Sequence, residues 1–153
     1  MEHVKVDTYE LCDLDLVVQS AGGEVSSELA PKITKAGAIV VENSSAWRMD
    51  PDVPLVVPEV NPEALAGVTK KRIVANPNCS TIQLMVALKP LHDRAKILRV
   101  NCATYQSVSG AGQAGMDELW TQTKGIFVND HADPVAFTKQ IAFNVIPHID
   151  AFM

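Results

Sequence analysis

The alternation of short apolar runs with helical stretches over the first ninety residues most constrains how this chain can fold. The apolar runs cover residues 14–18, 38–41 and 73–75, and turn-forming residues follow each of them. Short strands that alternate with helices are typical of βαβ units, in which the strands lie parallel within one sheet. The sequence therefore predicts an α/β fold built on a parallel sheet.

Capping residues predict where the first two helices begin and end. Ser26 is a candidate N-cap, which places Pro31 early in the first helix, and Gly37 is typical of the residue that follows a helix end. The second helix is predicted at residues 80–91. Its apolar side chains point in all directions, which predicts burial on most sides.

The pattern becomes less regular after the second apolar run and changes after residue 96. Residues 55–57 are predicted as a short strand within a proline-rich extended segment, and residues 61–63 as the start of a short helix. Residues 96–105 alternate in part between apolar and polar side chains, which predicts a longer strand. A helix at 113–124, closed by Gly125, follows it. This change indicates the start of a second domain.

Composition and charge exclude several classes of protein. The chain has 153 residues, of which 47% are hydrophobic and 20% charged, as in globular proteins. The net charge of −5 argues against a nucleic-acid partner, and no apolar run approaches the ~20 residues of a membrane span. The acidic start resembles no secretion signal, so we expect a cytoplasmic protein. The last residues are apolar, so we expect a fragment that self-associates.

The three cysteines have irregular spacing, which fits neither a disulfide framework nor a zinc site, and we expect no metal. Cys79 lies between an Asn-Pro-Asn turn and a helix start, where unpaired N–H groups favour an anion such as a thiolate. This position favours a nucleophile over a packing role. Cys12 lies in an acidic stretch and Cys102 in a predicted apolar strand, so for both we expect the packing role.

One glycine-rich motif needs separate interpretation. Residues 110–115 match the pattern G-x-G-x-x-G, and Asp130 follows at a suitable distance for a dinucleotide-binding fingerprint. The fingerprint should directly follow a strand, but the polar residues 104–109 intervene. We therefore reject it as a dinucleotide-binding turn.

Several segments together resemble the aspartate-semialdehyde dehydrogenase family. NPNCST at residues 76–81 is similar to the active-site signature of that family. Four more segments resemble the family in the same order, and together they cover nearly the whole chain. They are SAGG at 20–23, VENSSAWRMDPDVPLVVPEVN at 41–61, TYQSVSGAG at 104–112 and NVIPHID at 144–150.

The resemblance implies a reaction and roles for particular residues. The family interconverts aspartyl phosphate and aspartate semialdehyde, in lysine, threonine and methionine biosynthesis. Cys79 would form the thioester, with Asn78 beside it holding the substrate or the thiol. Gln106 would bind the substrate and Arg48 the phosphate. From the residues alone, Asn78 can be a simple turn-forming residue, and a solvated loop side chain is the favoured interpretation of Gln106 and of Arg48.

The resemblance also implies a cofactor, NADP, and assembly into a homo-oligomer, a dimer or tetramer. Ser109 and Gly110 would touch the nicotinamide end of the cofactor, and a second cofactor-lining turn would comprise Ser20, Ala21, Gly22 and Gly23. The glycine-rich phosphate turn of the family, its acid–base histidine and its substrate-carboxylate arginine match nothing in this chain. We therefore expect the chain alone to be inactive.

The resemblance divides the chain into two partial domains. Residues 1–78 would be the C-terminal part of an NADP-binding Rossmann-type domain. Residues 79–153 would begin an α+β domain for catalysis and dimerisation. Two alternatives stay open: a sister acyl-phosphate reductase, and a truncated non-catalytic homologue that binds a full-length partner.

Overall fold

A computed structural model describes residues 13–149, which contain three β-strands and three α-helices. The strands are β1 (Leu16–Gln19), β2 (Ile39–Glu42) and β3 (Ile73–Ala75). They form one parallel sheet in the order β1-β2-β3. The parallel sheet expected from the alternating pattern is confirmed. Cys12 and the final residues, 150–153, lie outside the described residues.

Helix α1 (Gly23–Lys35) connects β1 to β2. Its buried residues Ser26, Ala30 and Ile33 recur at helical spacing, and Ala30 and Ile33 belong to the core cluster with Val40 of β2. The predicted start was wrong: Gly22 caps the helix, so Ser26 lies one turn inside it and Pro31 well inside it. The predicted end is confirmed, since Gly37 follows the C-cap with a positive φ of 113°.

The segment between β2 and β3 is mostly irregular. The strand predicted at 55–57 is reduced to one parallel bridge between Leu55 and Ala75, because Pro54 and Pro58 flank it and lack an N–H. Pro62–Thr69 forms a 3₁₀ helix, which confirms the predicted helix start.

Helix α2 (Cys79–Ala95) follows β3 after a three-residue turn. The prediction that it is buried on most sides was wrong, since none of its residues is buried. The core cluster comes from α1, the sheet and the loop before β3, and it includes no residue of α2. The apolar side chains of this helix are therefore half-buried or exposed.

The chain divides into two compact units after Asn101. The strand predicted at 96–105 was wrong: this segment has no regular structure, because no neighbouring strand of the described part pairs with it. A 3₁₀ helix at Val108–Ala111 leads directly into α3 (Gly112–Val128). This helix continues past Gly125 to Val128, and its C-cap is Asn129, whose φ of 56° is left-handed.

Gly125 does not end α3, as the sequence predicted, but lets the chain after the helix pass close to it. It is buried within α3, and a Cβ atom there would lie 2.0 Å from the carbonyl oxygen of Asp130. Only a glycine lets the returning chain approach the helix so closely.

Candidate active site

Three polar side chains form a row across the carboxyl edge of the sheet. Gln19, Glu42 and Ala75 end the three strands in register, so the next residues, Ser20, Asn43 and Asn76, follow at the same level. The Asn43 amide donates to Ser20 Oγ at 3.2 Å, and the Asn76 amide donates to Asn43 Oδ1 at 3.4 Å. We name Ser20, Asn43 and Asn76 the edge row. Ligands of open α/β sheets bind outside the carboxyl ends of the strands, where this row lies.

Cys79 is the first residue of α2, reached from the edge row through Pro77 and Asn78. Asn78 caps the helix, because its Oδ1 accepts a hydrogen bond from the Ser80 N–H at 3.0 Å. The Cys79 sulfur lies 3.9 Å from the same oxygen, and Cys79 is exposed. The thiol therefore stands at the positive end of a helix and is open to a reactant.

Arg48 joins the loop after β2 to the turn before Cys79. Its Nε donates to the Asn76 carbonyl at 2.7 Å, and its Nη2 donates to the Asn43 carbonyl at 3.1 Å. These bonds use two of the five N–H groups of a guanidinium, so three remain for a ligand. Arg48 is thus held beside the edge row by backbone oxygens and keeps donors for an anion such as phosphate.

The turn after β1 is open enough to receive a cofactor. Ser20, Ala21 and Gly22 are exposed, and Gly22 has a positive φ of 89°. A Cβ on Gly22 would meet no protein atom within 4 Å, so that space is free for a ligand. Gly23 is the first residue of α1, and the unpaired backbone N–H groups of the first turn of this helix point toward residues 20–22. An open turn beside a helix N-terminus has the chemistry to receive a nicotinamide cofactor.

The other predicted site residues belong to the second compact unit. Gln106 is exposed in the irregular segment, and its amide donates to Thr104 Oγ1 at 3.1 Å. Ser109 Oγ donates to Ser107 Oγ at 3.2 Å, and Ser107 also caps the short 3₁₀ helix. Gly110 is exposed, with no protein atom near its Cβ position. All three residues have polar or open faces available to ligands.

The structure contradicts the expectation for Cys102 and agrees with the interpretation of the G-x-G-x-x-G motif. Cys102 was expected to pack inside a strand, which was wrong, since it is exposed on irregular chain. The G-x-G-x-x-G motif spans the 3₁₀ helix and the start of α3, and no strand of the described residues directly precedes it. That arrangement agrees with our rejection of the motif as a dinucleotide-binding turn.

The sequence analysis missed Asn43, Asn76 and the buried Glu42. The available signal was position: Asn76 directly follows the predicted strand at 73–75, and Glu42 and Asn43 are the first two residues after the apolar run at 38–41. Residues that end neighbouring parallel strands meet at one sheet edge, which would have indicated the row.

Residues 13–149 hold neither a candidate metal centre nor a helix suited to crossing a membrane. Nowhere in that range do three or more His, Cys, Asp or Glu residues come together in a group that could hold a metal ion. No helix within it has the length and apolar character needed to cross a membrane.

Two models of known protein families match most of this chain. Residues 1–68 match the NAD binding domain of semialdehyde dehydrogenase, and residues 88–153 match its dimerisation domain. An aspartate-semialdehyde dehydrogenase of Aquifex aeolicus is 57% identical over 141 residues, which are 91% of this chain and 41% of that protein. The chain belongs to the aspartate-semialdehyde dehydrogenase family.

Other members of the aspartate-semialdehyde dehydrogenase family are similar to this chain in sequence and in structure. The Vibrio cholerae protein named aspartate-semialdehyde dehydrogenase 2 is 52% identical over 97% of this chain and 44% of its own length. A crystal structure of the Vibrio cholerae enzyme II, complexed with ASA, superposes with a TM-score of 0.91 at 51% identity. It covers 98% of this chain and 45% of that one. The chain thus spans less than half the length of these relatives.

Proposed function

We propose that the full-length protein catalyses NADP-dependent reductive dephosphorylation of aspartyl phosphate to aspartate semialdehyde, and the reverse reaction. The observation that carries the proposal is the exposed Cys79 thiol at the N-terminus of α2, beside the edge row. The family membership and the NAD binding domain support an oxidoreductase with a nicotinamide cofactor. Lysine, threonine and methionine biosynthesis is the corresponding metabolic role.

Cys79 acts as the nucleophile in this proposal. Its thiolate attacks the acyl carbon of aspartyl phosphate, the bond from that carbon to the phosphate oxygen breaks, and phosphate leaves. The positive end of α2 stabilises the thiolate before the attack. Asn78 orients the thiol through its Oδ1, which lies 3.9 Å from the sulfur. The bound cofactor supplies the hydride that reduces the resulting thioester.

The remaining residues bind and orient the reactants. Arg48 holds the phosphate with the guanidinium donors that its two backbone bonds leave free. Gln106 holds the substrate through its amide. Ser20, Ala21, Gly22 and Gly23 would hold the cofactor in the full-length protein. Ser109 and Gly110 would contact its nicotinamide end.

The domain organisation and the assembly are part of the same proposal. Residues 1–78 contribute to the NADP-binding domain, and residues 79–153 begin the catalytic and dimerisation domain. The match to a dimerisation domain supports a homo-oligomer, which we propose is a dimer or tetramer. The cytoplasmic location predicted from the sequence stays a prediction.

The test compares two exposed cysteines in the full-length protein, assayed by phosphate-dependent reduction of NADP with aspartate semialdehyde. Cys79→Ala should lower kcat by at least about 10⁴-fold, as expected when a nucleophile is removed. Cys102→Ala is the matched control, since Cys102 is also free and exposed, and it should keep activity within about twofold.

Three results would contradict the proposal. Turnover of Cys79→Ala close to that of the unchanged protein would exclude Cys79 as the nucleophile. Turnover only with a different acyl phosphate would favour the sister reductase. No turnover of any acyl phosphate, with binding of the 153-residue chain to a full-length partner, would favour the truncated non-catalytic homologue.

A further inference from the structure

Glu42 is a fully buried carboxylate at the end of β2, and the proposed chemistry does not use it. None of the ion pairs among residues 13–149 includes it. A buried carboxylate is costly unless its oxygens accept hydrogen bonds. Both oxygens of Glu42 accept hydrogen bonds, one from the loop after β2 and one from α1.

The two oxygens hold opposite ends of the loop formed by residues 43–48. Oε1 accepts the Ser44 N–H at 2.6 Å, at the start of the loop. Oε2 accepts the Ser26 hydroxyl of α1, and Ser26 Oγ accepts the indole N–H of Trp47 at 3.0 Å. Trp47 is the residue before Arg48. Glu42 therefore fixes the loop directly at one end and through one hydroxyl at the other.

All the hydrogen bonds of this network run in one direction. The Trp47 N–H donates to Ser26, and Ser26 donates its single proton to Glu42. Indole N–H is a donor only, and a carboxylate is an acceptor only, so each group fits its place without conflict. An amide at position 42 would direct an NH₂ group at Ser26 or Ser44, where a donor already points.

We propose that Glu42 is a positioning residue for Arg48. By fixing residues 43–48, it keeps the Arg48 guanidinium on the Asn43 and Asn76 carbonyls with its free donors ready for phosphate. This inference rests on the phosphate role proposed above for Arg48. Glu42 touches no reactant, so its effect reaches the reaction only through the loop.

The test uses Glu42→Gln and Trp47→Phe in the full-length protein. Trp47→Phe removes the indole donor at the far end of the loop and keeps an aromatic ring against the core and near Lys71. Glu28→Gln is the matched control, because it makes the same chemical change on an exposed face of α1.

The first measurement is solvent exchange of the Arg48 Nε–H, by NMR on ¹⁵N-arginine-labelled protein with the signal assigned from Arg48→Lys. Glu42→Gln should speed this exchange about tenfold, as expected when a charge-assisted hydrogen bond is lost, and Trp47→Phe by a smaller factor. Glu28→Gln should leave it unchanged. Unchanged exchange in both loop variants overturns the proposal, and Trp47→Phe decides alone if Glu42→Gln does not fold.

The second measurement separates positioning from general destabilisation. Glu42→Gln should raise the KM for phosphate about tenfold while the KM for the semialdehyde changes less than about twofold. In an Arg48→Ala background, the same substitution should have no further effect on the KM for phosphate. An equal effect in both backgrounds overturns the proposal. Faster Nε–H exchange with an unchanged KM for phosphate would support the positioning of Arg48 and refute its phosphate role.

Discussion

Apolar side chains from α1, two strands and the loop before β3 form one core in the first compact unit, residues 13–101. In the described part of the second unit, residues 102–149, Ala142 is the buried apolar residue. That unit depends instead on polar side chains of α3. Glu118 accepts the N–H groups of Val135 and Ala136, and Gln122 accepts those of Ile141 and Ala142.

This contrast explains how each unit places its proposed site residues. In the first unit, strand register sets the level of the edge row, and the core holds the strands. In the second unit, the contacts are local: the Gln106 amide donates to Thr104 Oγ1, and the Ser109 N–H and hydroxyl both donate to Ser107 Oγ. Register errors are costly where one face is buried, so the first set of residues is held more rigidly.

The largest expected effect tests the core of the first unit. Ile73→Ala removes a side chain that is 2% exposed, and it should lower the free energy of unfolding of that unit by about 4 kcal/mol. Ile149→Ala is the matched control in the second unit, where the side chain is 60% exposed, and should cost less than about 0.5 kcal/mol. Urea denaturation measures both. Equal losses would show that the two units are stabilised alike.

The next effect tests the polar contacts of the second unit. Gln122→Ala removes the oxygen that accepts two backbone N–H groups, at 2.8 Å from Ile141 N and 3.1 Å from Ala142 N. Two partly buried donors lose their partner, so stability should fall by about 2 kcal/mol. Gln113→Ala, on the exposed first turn of the same helix, should cost less than about 0.5 kcal/mol.

Hydrogen exchange would locate the Gln122 effect. Protection should fall in residues 135–145 and stay unchanged in β1, β2 and β3. Loss of protection across the sheet would mean that Gln122 supports more than the second unit.

The smallest expected effect is a loss of local stability around Glu118 at acidic pH. Burial raises the pKa of Glu118, but the backbone N–H groups of Ala136, Val135 and Phe137 and the Gln122 side chain lower it more, so the pKa lies below its ordinary 4.5. A depressed pKa adds stability that is present above the ordinary value and is lost as the pH falls through the folded-state pKa. Protection of the Val135 and Ala136 amides should therefore fall as the medium becomes more acidic than that ordinary value.

Glu118→Gln gives the control for the acid effect. Its amide oxygen still accepts hydrogen bonds but does not titrate, so protection should be lower and independent of pH over the same range. A pH dependence that survives in Glu118→Gln would assign the effect to another group.

The sequence predicted much of the first unit because its signals are local. The apolar runs located β1, β2 and β3, and Gly37 located the end of α1. The Asn-Pro-Asn turn placed Cys79 at a helix start, since Asn78 is a strong N-cap. The start of α1 was missed because Gly22 caps it with backbone geometry and no side-chain hydrogen bond.

The other failures share one physical cause, because in each of them contacts with distant parts of the chain decide the structure. Residues 96–105 have the composition of a strand, but no strand of the described part pairs with them. The apolar side chains of α2 are not covered by the core of the first unit. Ser26 is distant in sequence from both Glu42 and Trp47, so their hydrogen-bond network depends on how α1 packs on the sheet.

Gly125 has a consequence for any attempt to engineer a more thermostable form of this protein. Replacing a glycine inside a helix by alanine usually stabilises the helix by about 1 kcal/mol, so design rules would select this position first. Here the added methyl group would collide with the Asp130 carbonyl oxygen, which is backbone and cannot rotate away. The same rule would also fail at Gly115, where a Cβ would lie 2.8 Å from that of Ala111. Mutant libraries aimed at α3 should therefore leave both glycines unchanged and vary its solvent-facing positions.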